Sequence, residues 1–374
     1  MNNLVSKFKQ QIVLLICCFS FITVVAQPET LSEKAEISVL TCGTANEMHT
    51  LFGHTALRIK DVDQNLDVVY NWGMFDFRTP NFLSKFVKGN LLYYLDVDSF
   101  NDFVYNYKID NREVVEQELS LSYTEKSKIW IEINRQLKGN DRYYTYGFIR
   151  NNCTTKVVDV INKAVEKPLS ANFPSNNHSY RYILNEGLDN HYFEKLGINL
   201  LFGYSTNKQA DIMFLPVKLK DGISFDKNIL KSEKIINKVD NINPKNSLNS
   251  IYTLWVIAII ALIGVFNKKC RLTYFFVTAI FSLFLVAVSV YSNHSELQFN
   301  ALILFFNPLL FVGLVLKNKK ILFSAIFLTA ISLVFMGLEL ILIVAPLIVL
   351  NLGYIMVLFL HRNRKTASLQ TLKK

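Results

Sequence analysis

The sequence predicts an α+β outer domain followed by an α-helical membrane bundle of five spans. Three observations predict it. Beyond Ile251 the 374-residue chain becomes a series of apolar stretches parted by short polar or basic connections. Upstream, segments alternating apolar and polar residues mix with segments of helical periodicity, the pattern of a sheet packed against helices. The chain also opens like an exported protein: Lys7 and Lys9 form a positive region, residues 12–25 an apolar one, and Val24-Val25-Ala26 a cleavage site before Gln27. Residues 1–26 are therefore read as a signal peptide, an uncleaved first membrane helix being the alternative.

In the outer domain, residues 27–225, strands are expected at 36–40, 54–59 and 67–72. The second puts His54, Ala56 and Arg58 on one face. The Asp63-Gln64-Asn65 turn favours a hairpin, which brings His54 and Asn71 near each other on neighbouring strands. Residues 91–97 and 113–121 add two strands. Ser122 and Glu125 form a capping box opening a helix to Leu137, with Ile129, Ile133 and Leu137 on its inner stripe. After an aromatic run containing Tyr143, Tyr144 and Tyr146, Asn152 is a good N-cap for a helix through Val157, Ile161 and Ala164 that Pro168 stops. Residues 226–250, rich in Lys and Asn, read as a linker.

Apolar stretches at 251–266, 272–291, 299–316, 321–336 and 340–360 are long enough, or nearly so, to cross a hydrocarbon core of about 30 Å. Lys268, Lys269 and Arg271 follow the first, Lys317, Lys319 and Lys320 the third, and residues 362–374 form a basic tail. Residues 292–298 and 337–339 hold no Lys or Arg. By the positive-inside rule the basic connections are cytoplasmic and residues 27–250 lie outside, giving five crossings of a cytoplasmic membrane. Most of the net charge of +10 sits beyond residue 250. It records membrane orientation and gives no reason to expect a nucleic-acid partner.

The candidate chemistry centres on Cys153, in the run Arg150-Asn151-Asn152-Cys153-Thr154 at the first turn of its helix. A thiol is a nucleophile as thiolate, and a helix N-terminus and a nearby imidazole both lower its pKa. His54 is the candidate imidazole. A buried structural cysteine and a Cys42–Cys153 disulfide remain open alternatives. His49 lies five residues before His54, but no recognisable metal spacing completes it, so no metal is expected.

A strand His facing a helix-start Cys is the geometry of papain-like thiol enzymes, and His before Cys is the circularly permuted order. The chain resembles the NlpC/P60-like folds that include the lecithin:retinol acyltransferases, whose helix start is similar to Asn152-Cys153. More closely, Phe52-Gly53-His54-Thr55-Ala56-Leu57-Arg58, Tyr70-Asn71-Trp72-Gly73-Met74-Phe75-Asp76-Phe77 and the Cys153 run, in that order and ahead of a five-helix membrane region, resemble the Lnb-type lipoprotein N-acyltransferases. That resemblance implies a Cys153–His54 catalytic pair and no cofactor. It also implies transfer of a fatty acyl chain from a phospholipid donor, through a thioester, to the α-amine of a diacylglyceryl lipoprotein. Asn71 is the candidate to orient His54, with Asn152 and Asn151 as oxyanion or supporting groups. His294, Glu296, Asn307 and Glu339 are candidates for a lipid-access region. A membrane-tethered NlpC/P60-like cysteine peptidase or amidase of the envelope explains the same pair. A non-enzymatic membrane receptor or assembly factor with a Cys42–Cys153 disulfide is a third reading, which labelling of a free Cys153 thiol would separate from both enzymes.

The charge alternation makes one expectation directly testable: reporters fused within residues 292–298 should report an external location and reporters at residue 374 an internal one. A cytoplasmic signal from residues 292–298 would contradict the topology.

Overall fold

The alternating segments pair into one antiparallel sheet. A computed structural model describes residues 28–169, 177–239 and 247–371, so the expected signal peptide lies outside the described residues. The strands are β1 (Glu36–Cys42), β2 (His54–Asp61), β3 (Leu66–Met74), β4 (Leu92–Ser99), β5 (Val114–Leu119), β6 (Tyr143–Thr145) and β7 (Leu230–Asn237), in the order β6-β4-β3-β2-β1-β5-β7. The expected β2–β3 hairpin forms, with the register running from Leu57↔Tyr70 to Asp61↔Leu66. Two edge strands were not expected. β6 comes from the aromatic run, and β7 lies within residues 226–250: part of the presumed linker is a strand paired along β5. Its solvent side is polar, as an edge strand's is, so its composition resembles a linker's.

Alternation assigns each face of the sheet a helix layer. Leu57, Ile59, Tyr70 and Trp72 bury against α3 (Tyr123–Lys138) and α4 (Cys153–Ala164), the core's main cluster. Ala56 and Val69 face the other way, with Phe103 of α2 (Phe100–Ile109). On that second face Arg58 is nearly buried, so its guanidinium needs full compensation. It donates to both carboxylate oxygens of Glu116 at 3.0 Å and to Asp67 at 2.7 and 2.8 Å, and lies 3.3 Å from the centroid of the Phe100 ring.

Between β3 and β4 runs α1 (Phe82–Lys88); after α4 come α5 (Tyr180–Glu186), α6 (Tyr192–Leu201) and α7 (Pro216–Phe225). The membrane region comprises α8 (Ile251–Ile263), α9 (Lys268–Tyr291), α10 (Leu302–Phe305), α11 (Leu309–Val315) and α12 (Lys319–Thr371). Three helical stretches, Lys268–Tyr291, Ser295–Val315 and Lys319–Leu358, are long and apolar enough to cross a membrane, and Ile251–Phe266 is a shorter apolar helix. The 40 residues of Lys319–Leu358 would extend about 60 Å if straight, twice a hydrocarbon core. They are not straight. Gly337 adopts φ 73°, ψ 156°, a conformation open to glycine, and breaks the helix where the boundary between the fourth and fifth stretches was expected. Asn307 and Pro308 interrupt the third stretch. The Asn307 amide donates to Leu304 O (2.8 Å) and Ala325 O (3.1 Å), acceptors inside the bundle, at the point where Pro308 supplies no N–H.

The outer domain packs directly on this bundle. Tyr192 and Leu196 of α6 share a buried cluster with Leu254, Leu285, Leu302 and Leu340. Asn300 donates to the free carbonyls of Leu200 and Leu201 at the end of α6 (2.8 and 3.0 Å), and the Gly203 N–H donates to Glu296 O (2.6 Å). At Gly203 a Cβ would stand 1.7 Å from Gln298 O, so the two backbones can meet only where there is no side chain. Gly203→Ala should therefore destabilise the detergent-solubilised protein by about 3 kcal/mol or more, as an overpacked backbone contact does. Gly197→Ala, inside α6 with no atom within 4 Å of the added Cβ, should be neutral or stabilising by up to about 1 kcal/mol. Thermal unfolding of the two variants checks the contrast, and equal effects would contradict it.

Candidate active site

Cys153 is the first residue of α4 because Asn152 caps it. The Asn152 side-chain oxygen accepts from the Thr155 N–H (3.0 Å), and Thr155 returns the bond to the Asn152 N–H (2.9 Å). The two Asn152 amide protons go to Phe148 O (3.1 Å) and Phe214 O (3.0 Å). Its side chain is fully committed to holding the helix start and has no proton to offer a ligand. Asn151 takes the left-handed conformation (φ 67°), and its amide donates to Thr145 O, folding the loop back on β6. Both residues support the site rather than line it.

His54 starts β2 on the face shared with Ala56 and Arg58, whereas α4 covers the opposite face. Thiol and imidazole meet across the end of β3, beside Gly73. Gly73 sits at a β-bulge between Trp72 and Met74 with φ +99°. A Cβ there would stand 3.5 Å from Cys153 Cβ, 3.9 Å from the Tyr144 hydroxyl and 4.0 Å from His54 Cε1. Three polar groups from three elements thus converge on one small space.

The hydrogen bonds fix the imidazole's proton. Asn71 Nδ2 donates to Asp98 Oδ2 at 2.7 Å, a carboxylate that can only accept, so the amide oxygen must face His54. His54 Nε2 lies 3.2 Å from that oxygen and must therefore carry the proton. The Nδ1 lone pair is then free to bond the thiol. Burial raises the Asp98 pKa, and the neighbouring Asp96 charge adds to it, while the Asn71 amide opposes both.

At Cys153 opposing effects act on the sulfur. Burial raises the thiol's pKa, whereas the charge of the His54 imidazolium and its hydrogen bond lower it. The Thr55 backbone N–H and the Thr154 hydroxyl, 4.0 Å from Sγ, lower it further, and the balance lies below the ordinary cysteine value. Thr154 is itself oriented by Thr55 (Oγ1···Oγ1 3.0 Å). Cys42, opposite His54 on β1, is pushed up to about 12 by burial, which the Tyr107 hydrogen bond and the Arg112 charge offset only in part. Both cysteines are free, so the disulfide alternative is not realised in this structure.

The remaining expected residues have partners of their own. Glu296 accepts the Ile149 N–H (3.0 Å) and His294 Nε2 meets Phe86 O (3.0 Å), both joining the bundle's outer loop to the domain. Glu339 accepts from the Ser179 hydroxyl, and Asn307 lies within the helices. His49 packs edge-on against Phe75 and Phe77, and no group of three potential metal ligands occurs among the described residues. Sequence reading missed Gly73, Asp98 and Tyr144. A glycine inside a strand pattern is a signal of close approach and would have found the first.

These motifs belong to a recognisable domain. Residues 27–186 match the family model of the Lnb N-terminal periplasmic domain. The match includes His54, Asn71, Asp98, Tyr144 and Cys153, and it supports an Lnb-type family and a periplasmic outer domain beside the membrane helices. No curated protein and no solved structure matches the chain.

A thiol pKa lowered by an imidazolium has a definite sign. Alkylation of Cys153 in the folded protein should titrate below an ordinary cysteine, and its midpoint should rise in His54→Ala, slowing labelling at neutral pH. Asn71→Ala should shift it less, because it loosens the imidazole without removing it. Cys42 should resist labelling until the protein unfolds. Iodoacetamide rates against pH measure all three, and an unchanged profile in folded His54→Ala would contradict the pairing.

Proposed function

We propose that the chain is a membrane-bound lipoprotein N-acyltransferase whose outer domain has a permuted papain-like arrangement. The observation that carries this reading is a thiol beside an imidazole, inside a region matching the Lnb periplasmic domain and packed directly on apolar helices. Five crossings complete the proposal, since Gly337 divides a stretch twice too long for one. A thiol peptidase would explain the Cys–His pair equally well, but it has no use for a bundle joined to the site.

In this reading the Cys153 thiolate attacks a phospholipid ester carbonyl, forming the C–S bond. As the tetrahedral intermediate collapses the C–O bond breaks, and the leaving alkoxide of the lysophospholipid takes a proton from His54 Nδ1. The neutral α-amine of a diacylglyceryl lipoprotein then attacks the thioester. His54 accepts a proton from that nitrogen, and the thiolate departs. Asn71 and Asp98 hold the imidazole through both halves. The Cys153 N–H, in the first helical turn where amides lack intrahelical partners, is a donor for the carbonyl oxygen.

The apolar surroundings suit a lipid donor. Ser84 of α1 meets the Tyr291 hydroxyl at the end of α9 (3.2 Å), which in this reading would set α1 near the bilayer surface. Leu83 and Phe77 are 71 % and 64 % exposed there. Phe75, Phe82 and Phe86 form a run of ring contacts (5.7 and 6.5 Å) and pack on the same core cluster as Cys153. Acyl chains can follow that surface from the membrane to the thiol. His294 and Glu296 hold the outer loop against α1 and the loop before Cys153, and so fix the site's height above the bundle.

Cys153→Ala and Cys153→Ser should abolish N-acylation, and His54→Ala should reduce it by about 10²–10⁴-fold, the usual size of a general-base effect. Mass analysis of lipoprotein N-termini from cells carrying each variant provides the check. Triacylated lipoproteins in a Cys153→Ala strain with no other N-acyltransferase would contradict the proposal. Fully acylated lipoproteins together with altered envelope peptides would favour the peptidase.

A further inference from the structure

Tyr144 is a buried polar residue at the site to which nothing above gives a role. It lies on β6, paired with Tyr93 of β4, and is 7 % exposed. Its hydroxyl makes no hydrogen bond of good geometry among the described residues. The Gly73 backbone N–H approaches the phenolic oxygen loosely, which would use the oxygen as an acceptor and leaves the hydroxyl's own proton unclaimed. A buried donor left so costs about 1–3 kcal/mol, and the cost calls for an explanation. The ring is held in place: Lys156 Nζ, one turn along α4 from Cys153, lies 4.5 Å from its centroid. The hydroxyl is therefore presented, rather than free to turn away, to the space over Gly73 that Cys153 and His54 also border.

We propose that the Tyr144 hydroxyl is an oxyanion donor, aimed at the carbonyl oxygen of the acyl group that Cys153 attacks. That oxygen takes on negative charge as the C–S bond forms, and a carbonyl carbon bonded to Sγ would bring it into the space that Gly73 leaves open. The hydroxyl donates a hydrogen bond and keeps its proton throughout, so no proton is transferred to or from Tyr144. Burial first, and the nearby Cys153 charge second, raise its pKa well above that of an ordinary tyrosine, which keeps it neutral and a donor. The Cys153 N–H supplies the second donor, and the pair accounts for the unspent proton of the hydroxyl. The inference rests on Cys153 as nucleophile and is independent of whether the acyl donor is a lipid.

The test uses the full-length protein in detergent and two reagents that demand different things of the thiol. Acylation by p-nitrophenyl butyrate passes through a tetrahedral oxyanion; alkylation by iodoacetamide is a direct displacement with none. Tyr144→Phe should slow the p-nitrophenolate burst by about 10²–10³-fold, the usual loss for one oxyanion donor. It should leave the iodoacetamide rate and its pH profile unchanged. A burst within a few-fold of wild type would overturn the assignment. So would an equal loss of alkylation, which would make Tyr144 a support for the thiol or the fold. Wild type that reacts with the nitrophenyl ester but takes no acyl chain from phospholipid would defeat the lipid-donor reading, and the Tyr144 comparison would still decide this one. Wild type with no burst would defeat both.

Discussion

The Asn71 amide has one orientation open to it, because the Asp98 carboxylate accepts from its nitrogen at 2.7 Å and leaves its oxygen to the His54 ring. The rest of the site depends on this. If the amide turned over, its NH₂ would face Nε2, the imidazole proton would move to Nδ1, and no lone pair would face the thiol. Asn71 and Asp98 lie on adjacent strands, so the β3–β4 register selects the tautomer. A one-residue slip of β4 against β3 would put Asp98 on the face opposite Asn71. Sheet pairing and proton position are therefore one constraint, imposed by the backbone and expressed at a ring nitrogen.

The sulfur's chemistry is a contest that burial does not win. Cys42 pairs with His54 across β1 and β2, Cys153 meets its imidazole, and both thiols are withdrawn from water. Cys42 titrates far above the ordinary range, whereas Cys153 falls below it. The difference lies in the imidazolium, the Thr55 N–H and the Thr154 hydroxyl that Cys153 meets. Its position at a helix start is a further contribution of the kind that favours anions. Gly73, at a bulge with φ +99°, borders both side chains.

Much of this was legible in the sequence, because the signals were local. Asn152 and the apolar spacing after it marked α4, the Asp63-Gln64-Asn65 turn paired β2 with β3, and Ser122 with Glu125 opened α3. The rest depends on partners far along the chain. β7 is polar because it is an edge, and no local feature distinguishes such a strand from a linker until β5 stands beside it. Asp98 looked like the end of a strand, and Tyr144 like one of several aromatic residues in a row. Their roles exist only after β4 has carried one to Asn71 and the other to Gly73. The polar residues of the outer loop are hydrogen-bonded into the joint between domain and bundle, because buried backbone groups on both sides need partners, and those partners are far away in sequence.

That joint gives the membrane region a purpose beyond anchorage. A thiol domain on a flexible tether would meet lipid by chance, whereas here α6 enters the bundle's core and the loop before Cys153 is tied to Glu296. The central claim is that Cys153, held in this position, takes an acyl chain from a phospholipid. Intact-mass measurement of the purified protein after exposure to phospholipid vesicles, with no lipoprotein present, tests it most directly. The account predicts a mass increase of one fatty acyl group on Cys153, released by hydroxylamine. An unmodified wild-type protein, or an equal adduct on Cys153→Ala, would contradict it.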